Sequence, residues 1–358
     1  MAEDSHPAYL SPSELGTKDY WESYYARTLA HISHETPNPN EAPKENKNEE
    51  ADADSDADSD LNEEDDPGTS WFSEHNAPEK VLHFLTRKSF PLSPRNTVKS
   101  ASNSRSQKQN QTQPTVLDLG TGNGSMLALL QKRGGFRGNM VGVDYSRGSV
   151  ELARELQKNR GHSAYRSDSE DESESEEEEG SEDVSGGGEQ IDIEAPPIQF
   201  EEWDILGSTA ALSETGLPVE SAPTPDKSLN WFPYSAGGFD LVLDKGTFDA
   251  VSLADDAKTT RVCERYPDIA RRLVRRGGFL VVTTCNWTEE ELVHWFTGGK
   301  EKGDGEELVH WFTGGKEKGD GEDRLVVWGR VEYPRFRFGG HEGQGVCTVC
   351  FTRVGGDI

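Results

Sequence analysis

Nine residues constrain this chain more than any others: Val116-Leu117-Asp118-Leu119-Gly120-Thr121-Gly122-Asn123-Gly124. A short apolar run carries a carboxylate, a glycine-rich turn follows, and Ser125-Met126-Leu127-Ala128-Leu129-Leu130 reads as a helix. Strand, turn and helix in that order aim backbone N–H groups and a helix N-terminus at a ligand. Glycine belongs where the chain turns sharply, or where a ligand must reach the backbone with no Cβ in the way. The spacing is Asp-x-Gly-x-Gly-x-Gly. A dinucleotide fingerprint would place its third glycine at position 125, which is Ser125.

Downstream, apolar runs alternate with helical patterns. Met140–Asp144 is a second strand, and Ser146 is a suitable N-cap for a helix through Val150–Leu156. A third strand, Ile198–Trp203, ends at Asp204, and a fourth, Phe239–Leu243, ends at Asp244. A helix over roughly 259–276 leads to a fifth strand, Phe279–Thr284. Arg271, Arg272, Arg275 and Arg276 are expected in its last turns, complementing the helix dipole before Gly277-Gly278 ends it. Thr288-Glu289-Glu290-Glu291 is a capping box for the next helix. Strand patterns at Leu325–Tyr333 and Gly345–Val354 close the chain. The fold class this predicts is α/β: a doubly wound, seven-stranded, mostly parallel sheet with an antiparallel edge.

The net charge of −29 is unevenly spread. Residues 41–66 hold thirteen Asp/Glu against two Lys, and 167–183 hold eleven Asp/Glu and no base. Such tracts bury too little apolar surface to offset the entropy of ordering, so both are expected to be disordered. The negative balance disfavours a nucleic-acid partner and favours a basic protein surface. The organisation predicted is an N-terminal helical segment at 1–34, an acidic linker at 35–68, a helix and polar loop at 69–114, and a catalytic domain at 115–358 with an acidic insert about 161–195. Residues 291–306 recur identically as 307–322, and one copy is surplus to the fold. No signal-peptide pattern and no run of 18 apolar residues occurs, so a cytoplasmic chain with no membrane contact is expected, and a monomer. Cys347-Thr348-Val349-Cys350 has no second Cys pair, so no metal site is expected.

Asp118, Asp144 and Asp204 fall at or near the ends of successive strands, where an open α/β sheet binds its ligand. Asp144 lies 20 residues beyond Gly124, the usual distance for an acid that takes ribose hydroxyls. An adenosyl amino acid offers an ammonium, two ribose hydroxyls and an adenine amino group, all donors to carboxylates. Asp118 would then lie nearest the amino-acid end, Asp144 at the ribose, and Asp204 at the adenine amine with Trp203 against the ring. The helix carrying Trp21, Tyr24, Tyr25 and Leu29 docks on the core, and its aromatics could also roof the ligand.

The glycine spacing resembles the S-adenosylmethionine-dependent methyltransferases of the Rossmann-like class. Asp244-Lys245-Gly246-Thr247-Phe248-Asp249-Ala250 is similar to the signature of their seven-β-strand protein lysine branch. Leu15-Gly16-Thr17, Tyr20-Trp21, Tyr25, Trp71-Phe72, Asp144-Tyr145-Ser146, Cys285-Asn286-Trp287-Thr288 and Phe336-x-Phe338-Gly339-Gly340 narrow it to the elongation factor 1-alpha lysine methyltransferases of the methyltransferase-like protein 10 type. The resemblance implies a class I methyltransferase fold, S-adenosylmethionine as cofactor, and a lysine of elongation factor 1-alpha as acceptor. It implies cofactor contacts from Trp71, Asp118, Gly120, Gly122, Asn123, Gly124, Asp144, Tyr145, Trp203, Asp204 and Asp244. Asp244, Phe248 and Trp287, with Tyr25, are the candidates for the lysine channel. A different acceptor, or a silent cofactor-binding interaction protein, remains the alternative. A nicotinamide dehydrogenase is disfavoured by the glycine spacing and by the lack of a Tyr-x-x-x-Lys pair.

Overall fold

The computed structural model describes residues 7–35, 67–68, 72, 75–97, 113–166, 195–219, 223–255, 261–298, 322–338, 341–343 and 345–355. The acidic tracts, Trp71, Gly339-Gly340 and most of the doubled 16-mer lie outside the described residues.

Helices α1 (Lys18–Glu35), α2 (Ala77–Thr86) and the single turn α3 (Pro94–Thr97) precede the sheet. Then come β1 (Val116–Leu119), α4 (Ser125–Lys132), β2 (Met140–Asp144), α5 (Arg147–Asn159), β3 (Gln199–Glu202), β4 (Phe239–Lys245), α6 (Thr247–Ser252), α7 (Val262–Leu273), β5 (Val274–Thr284) and α8 (Glu289–Thr297). The chain ends with β6 (Arg324–Val331), a small hairpin β7 (Phe336–Phe338) and β8 (His341–Gly343), and β9 (Cys347–Val354). The seven-stranded order is β3-β2-β1-β4-β5-β9-β6. Strands β3 to β5 pair in parallel, and β9 is antiparallel to both β5 and β6.

Local chemistry explains the element ends. Ser146 Oγ accepts from Ser149 N at the start of α5. Thr288 and Glu291 exchange the reciprocal capping-box bonds that open α8. One expectation is corrected. The helix before β5 stops at Leu273, and Arg275 and Arg276 already belong to β5. Val274 has extended dihedrals and pairs with Phe239, and the register then shifts between Phe239 and Leu241. That irregularity absorbs Gly277 at φ +73°, so the glycines bend a strand rather than end a helix.

The core has two halves, one on each face of the sheet. Alternate residues of a strand point to opposite faces. Val116, Leu241, Leu243 and Val281 pack with α2, α4 and α5 on one face. Leu117, Leu119, Val242 and Val282 pack with α6, α7 and α8 on the other. The same parity assigns Asp118, Asp144 and Lys245 to the first face and Asp244 to the second.

The N-terminal arm spans these halves. Arg261 donates to Leu10 O (3.1 Å), Ser13 N donates to Leu253 O (3.0 Å), and Trp21 Nε1 donates to Leu15 O (2.8 Å). Helix α1 then lies along α5, with Glu22 accepting from Arg147 N (3.2 Å) at the N-terminus of α5. A carboxylate there satisfies an otherwise orphaned N–H and complements the helix dipole. Among the described residues no helix is long and apolar enough to cross a membrane.

Candidate functional site

The glycine turn follows β1 as expected, and its three glycines do different things. Gly120, Gly122 and Gly124 all have positive φ (58°, 57° and 75°). A Cβ on Gly120 would meet Thr247 Oγ1 at 2.2 Å, and one on Gly124 would meet Tyr165 Oη at 2.4 Å and Phe200 Cζ at 2.6 Å. Those two are small because protein crowds them. A Cβ on Gly122 would meet only Tyr25, with Oη at 3.0 Å. Gly122 therefore lines space, and Tyr25 of α1 roofs it. Asn123 is committed elsewhere: its Nδ2 donates to Pro67 O (3.0 Å) and its Oδ1 accepts from Ser125 N (3.1 Å).

Asp144 is buried at the end of β2. It accepts from Ser146 N (2.9 Å), Ser149 Oγ (2.8 Å) and Gly122 N (3.1 Å), which ties the glycine turn to β2. Asp118 accepts from Thr121 Oγ1 (2.8 Å), and burial pushes its carboxyl up to about 6. Tyr145 donates its hydroxyl to Thr17 O (3.1 Å), joining the site to the N-terminal arm. Asp204 is exposed and caps its own turn, accepting from Leu206 N and Gly207 N (both 3.0 Å).

Other expected site residues lie on the second face. Trp203 packs edge-on to Trp231 at 5.3 Å and lines a separate pocket of about 340 Å³ with Ile205, Arg265 and Ile269. Asp244 Oδ1 accepts from the Thr247 and Phe248 N–H groups (2.9 and 3.2 Å) at the start of α6, and its Oδ2 from Tyr266 Oη (2.7 Å) on α7. Phe248 is 0 % exposed, stacked on Tyr266 and Trp287. A ring with no exposed surface cannot wall a channel directly; Phe248 and the buried Trp287 support whatever does. Asp249 accepts from Cys285 N (3.0 Å) and Asn286 N (3.3 Å), and so fixes the turn after β5.

Lys245 lies outside the expected set. It closes β4 on the same face as Asp118, and its Nζ lies 5.8 Å from the centroid of Phe72. Pleat parity in Leu243-Asp244-Lys245 was the signal: the register sets Leu243 beside Asp118, so Lys245, two residues on, shares that face.

Burial raises three carboxyls on and around β1 and β4: Asp244 to about 7, Asp118 and Asp249 to about 6. Each ionises at a higher pH folded than unfolded, so the folded chain holds extra protons between about pH 4 and 7. Their contribution to stability falls as pH rises through that window. Wild type is therefore expected to lose stability relative to Asp244→Asn between about pH 5 and 7.5. Denaturant melts of both proteins at the two pH values check this; a constant difference would contradict it.

The sheet order, the antiparallel β9 inserted beside β5 and the glycine turn at the end of β1 are those of a class I methyltransferase. A methyltransferase-domain family model matches residues 110–192. The chain is 26% identical to protein-lysine N-methyltransferase EFM4 of Saccharomyces cerevisiae, over 97% of both chains. It is 24% identical to protein-lysine N-methyltransferase efm4 of Schizosaccharomyces pombe, over 96% of this chain and 95% of that one. With EEF1A lysine methyltransferase 2 of Homo sapiens the identity is 23%, over 96% and 88%. Along nearly its whole length the chain is thus similar to protein-lysine N-methyltransferases.

Proposed function

We propose that the protein transfers a methyl group from S-adenosylmethionine to a lysine of translation elongation factor 1-alpha, in the cytoplasm. The similarity to EEF1A lysine methyltransferase 2 of Homo sapiens, over 96% of this chain and 88% of that one, carries the acceptor assignment. The residues present fit the cofactor: a cradle at Gly122 that a Cβ would fill, and buried Asp118 and Asp144 on one face. Bound S-adenosylmethionine would supply an electrophilic methyl on a sulfonium; the lysine, having given its proton to solvent, would take that methyl on nitrogen as the S–CH3 bond breaks and S-adenosylhomocysteine leaves.

The chain's own residues bind and position. Asp144 would accept from the ribose hydroxyls, as the Ser149 hydroxyl already shows it can. Asp118 faces the amino-acid end, and exposed Asp204 is available to the adenine amine. Tyr25 and Tyr145, held by α1 and the arm, exclude water above the glycine turn. The acceptor lysine must arrive neutral, since an ammonium has no lone pair, and a partly dry entrance favours that form. Asp249 and Thr284 hold the Cys285-Asn286 turn at the top of β5, beside the end of β4.

The test is radiolabelled S-adenosylmethionine, the purified protein and purified elongation factor 1-alpha, followed by peptide mapping. Label on one lysine of the factor is expected. Label on another protein of an extract, with none on the factor, would replace the acceptor.

A further inference from the structure

We infer that the acidic insert, residues 167–194, docks on a basic collar made by the C-terminal ends of α4 and α5. The collar thus takes a polyanion of its own chain, at the end of α4 remote from the glycine turn. The inference does not depend on which acceptor is methylated.

Chain placement is the first observation. The insert leaves from Arg166, just after the 3-10 turn Ser163–Tyr165 that packs on α4. It returns at Ala195, and Pro196 O accepts from Gln131 Nε2 (2.8 Å) near the end of α4. Two residues on, Ile198 exchanges hydrogen bonds with the Gln157 amide of α5. Its N donates to Oε1 (2.9 Å) and its O accepts from Nε2 (3.1 Å). The returning chain is pinned between the last turns of both helices.

Charge is the second observation. Residues 167–194 hold fourteen Asp/Glu and no Lys, Arg or His. Exposed Lys132 and Arg137 stand at the end of α4, and exposed Lys158, Arg160 and Arg166 at the end of α5 and the turn beyond it. Lys132, Lys158 and the C-cap Arg160 complement the helix dipoles. Arg137 and Arg166 lie several residues past the helix ends, so the dipoles do not account for them. The acids of this region are engaged: Glu79 pairs with Arg133, and Glu155 accepts from Asn159. A single exposed ion pair is weak, but an occupant tethered at both ends to the surface brings many at once, at high effective concentration. A free polyanion must displace it. Occupancy, rather than net charge alone, then keeps nucleic-acid phosphates off the collar.

Zero-length carbodiimide coupling joins a carboxylate to a lysine amine in direct contact, and so tests the wild-type chain without a variant. Cross-links from acids of 167–194 to Lys132 and Lys158 are expected at about 10 mM salt, where the Debye length is about 30 Å. They should be lost at about 1 M, where it is about 3 Å. No cross-links, cross-links from the insert to other lysines only, or cross-links from residues 41–66 to this collar would each overturn the inference. A heparin column supplies the second readout. Wild type should flow through, as should a variant with the thirteen acids of 41–66 changed to Asn/Gln. A variant with the eleven acids of 167–183 so changed should be retained, and adding Arg137→Ser and Arg166→Ser should release it. Equal elution of the two neutralised variants would leave net charge as the sole cause, and retention of wild type would mean an open collar. Either result rejects the docking.

Discussion

Arg353→Met is expected to cost about 3–5 kcal/mol of folding stability, the range for removing one partner from a buried ionic network. Arg353 is 0 % exposed on β9. Its Nε and Nη2 reach both oxygens of Asp323 (2.8 and 2.6 Å), Nη1 donates to Val274 O (2.7 Å) and Arg271 O (3.1 Å), and Nη2 also donates to Glu214 O (2.8 Å) and Ser213 O (3.1 Å). One guanidinium thus ties β9 to the end of α7, the start of β5, the 213–214 loop and the residue before β6. Methionine fills the volume but removes this donor from four carbonyls and from Asp323, which keeps Arg271 as a partner, and an unmet buried acceptor costs more than a made bond contributes. Burial pushes the Arg353 guanidinium down to about 9, still charged at neutral pH, so the network is intact there. Urea melts measure the loss. A change below about 1 kcal/mol would show that water replaces the guanidinium at its carbonyls.

This network was illegible in the sequence. Arg353 sits in Cys350-Phe351-Thr352-Arg353-Val354, which reads as an apolar strand with one charge near its end. Nothing local pairs it with Asp323, because the two meet only when β9 inserts between β5 and β6. The elements set by local chemistry were legible: β1 with its turn, α4 bounded at Ser125–Lys132, the Ser146 cap and the Thr288 capping box. Arg275-Arg276 failed as a helix end because helix propensity competed with a strand partner, Phe239, 35 residues away. The site was half legible. Spacing to the glycines marks Asp118 and Asp144, and the structure buries both on one face of the sheet. A carboxylate at a strand end does not by itself tell which face it takes: pleat parity puts Asp244 on the second face and Lys245 on that of Asp118.

Gly122→Ala and Gly124→Ala are expected to fail in opposite ways. Both residues have positive φ, so alanine costs about 1–2 kcal/mol at either. At Gly124 the new methyl would fall 2.4 Å from Tyr165 Oη and 2.6 Å from Phe200 Cζ. Tyr165 cannot retreat cheaply, since it is buried and its hydroxyl donates to Asn123 O (3.0 Å) within the turn itself. Overpacking there adds about 1–3 kcal/mol, so this variant should melt early. At Gly122 the methyl would meet one hydroxyl, on α1, at 3.0 Å, and α1 is an added layer rather than part of the sheet. The protein should lose little beyond that backbone cost, while the methyl stands where the cofactor must approach the backbone. Cofactor affinity is then expected to fall by about 100-fold, the effect of displacing a bound group by about an ångström. Thermal melts and calorimetry with S-adenosylhomocysteine on the two variants give four numbers. The assignment of the cradle to Gly122 requires the large binding loss to fall on Gly122→Ala and the large stability loss on Gly124→Ala; the reverse pattern would move the cofactor to the other side of the turn.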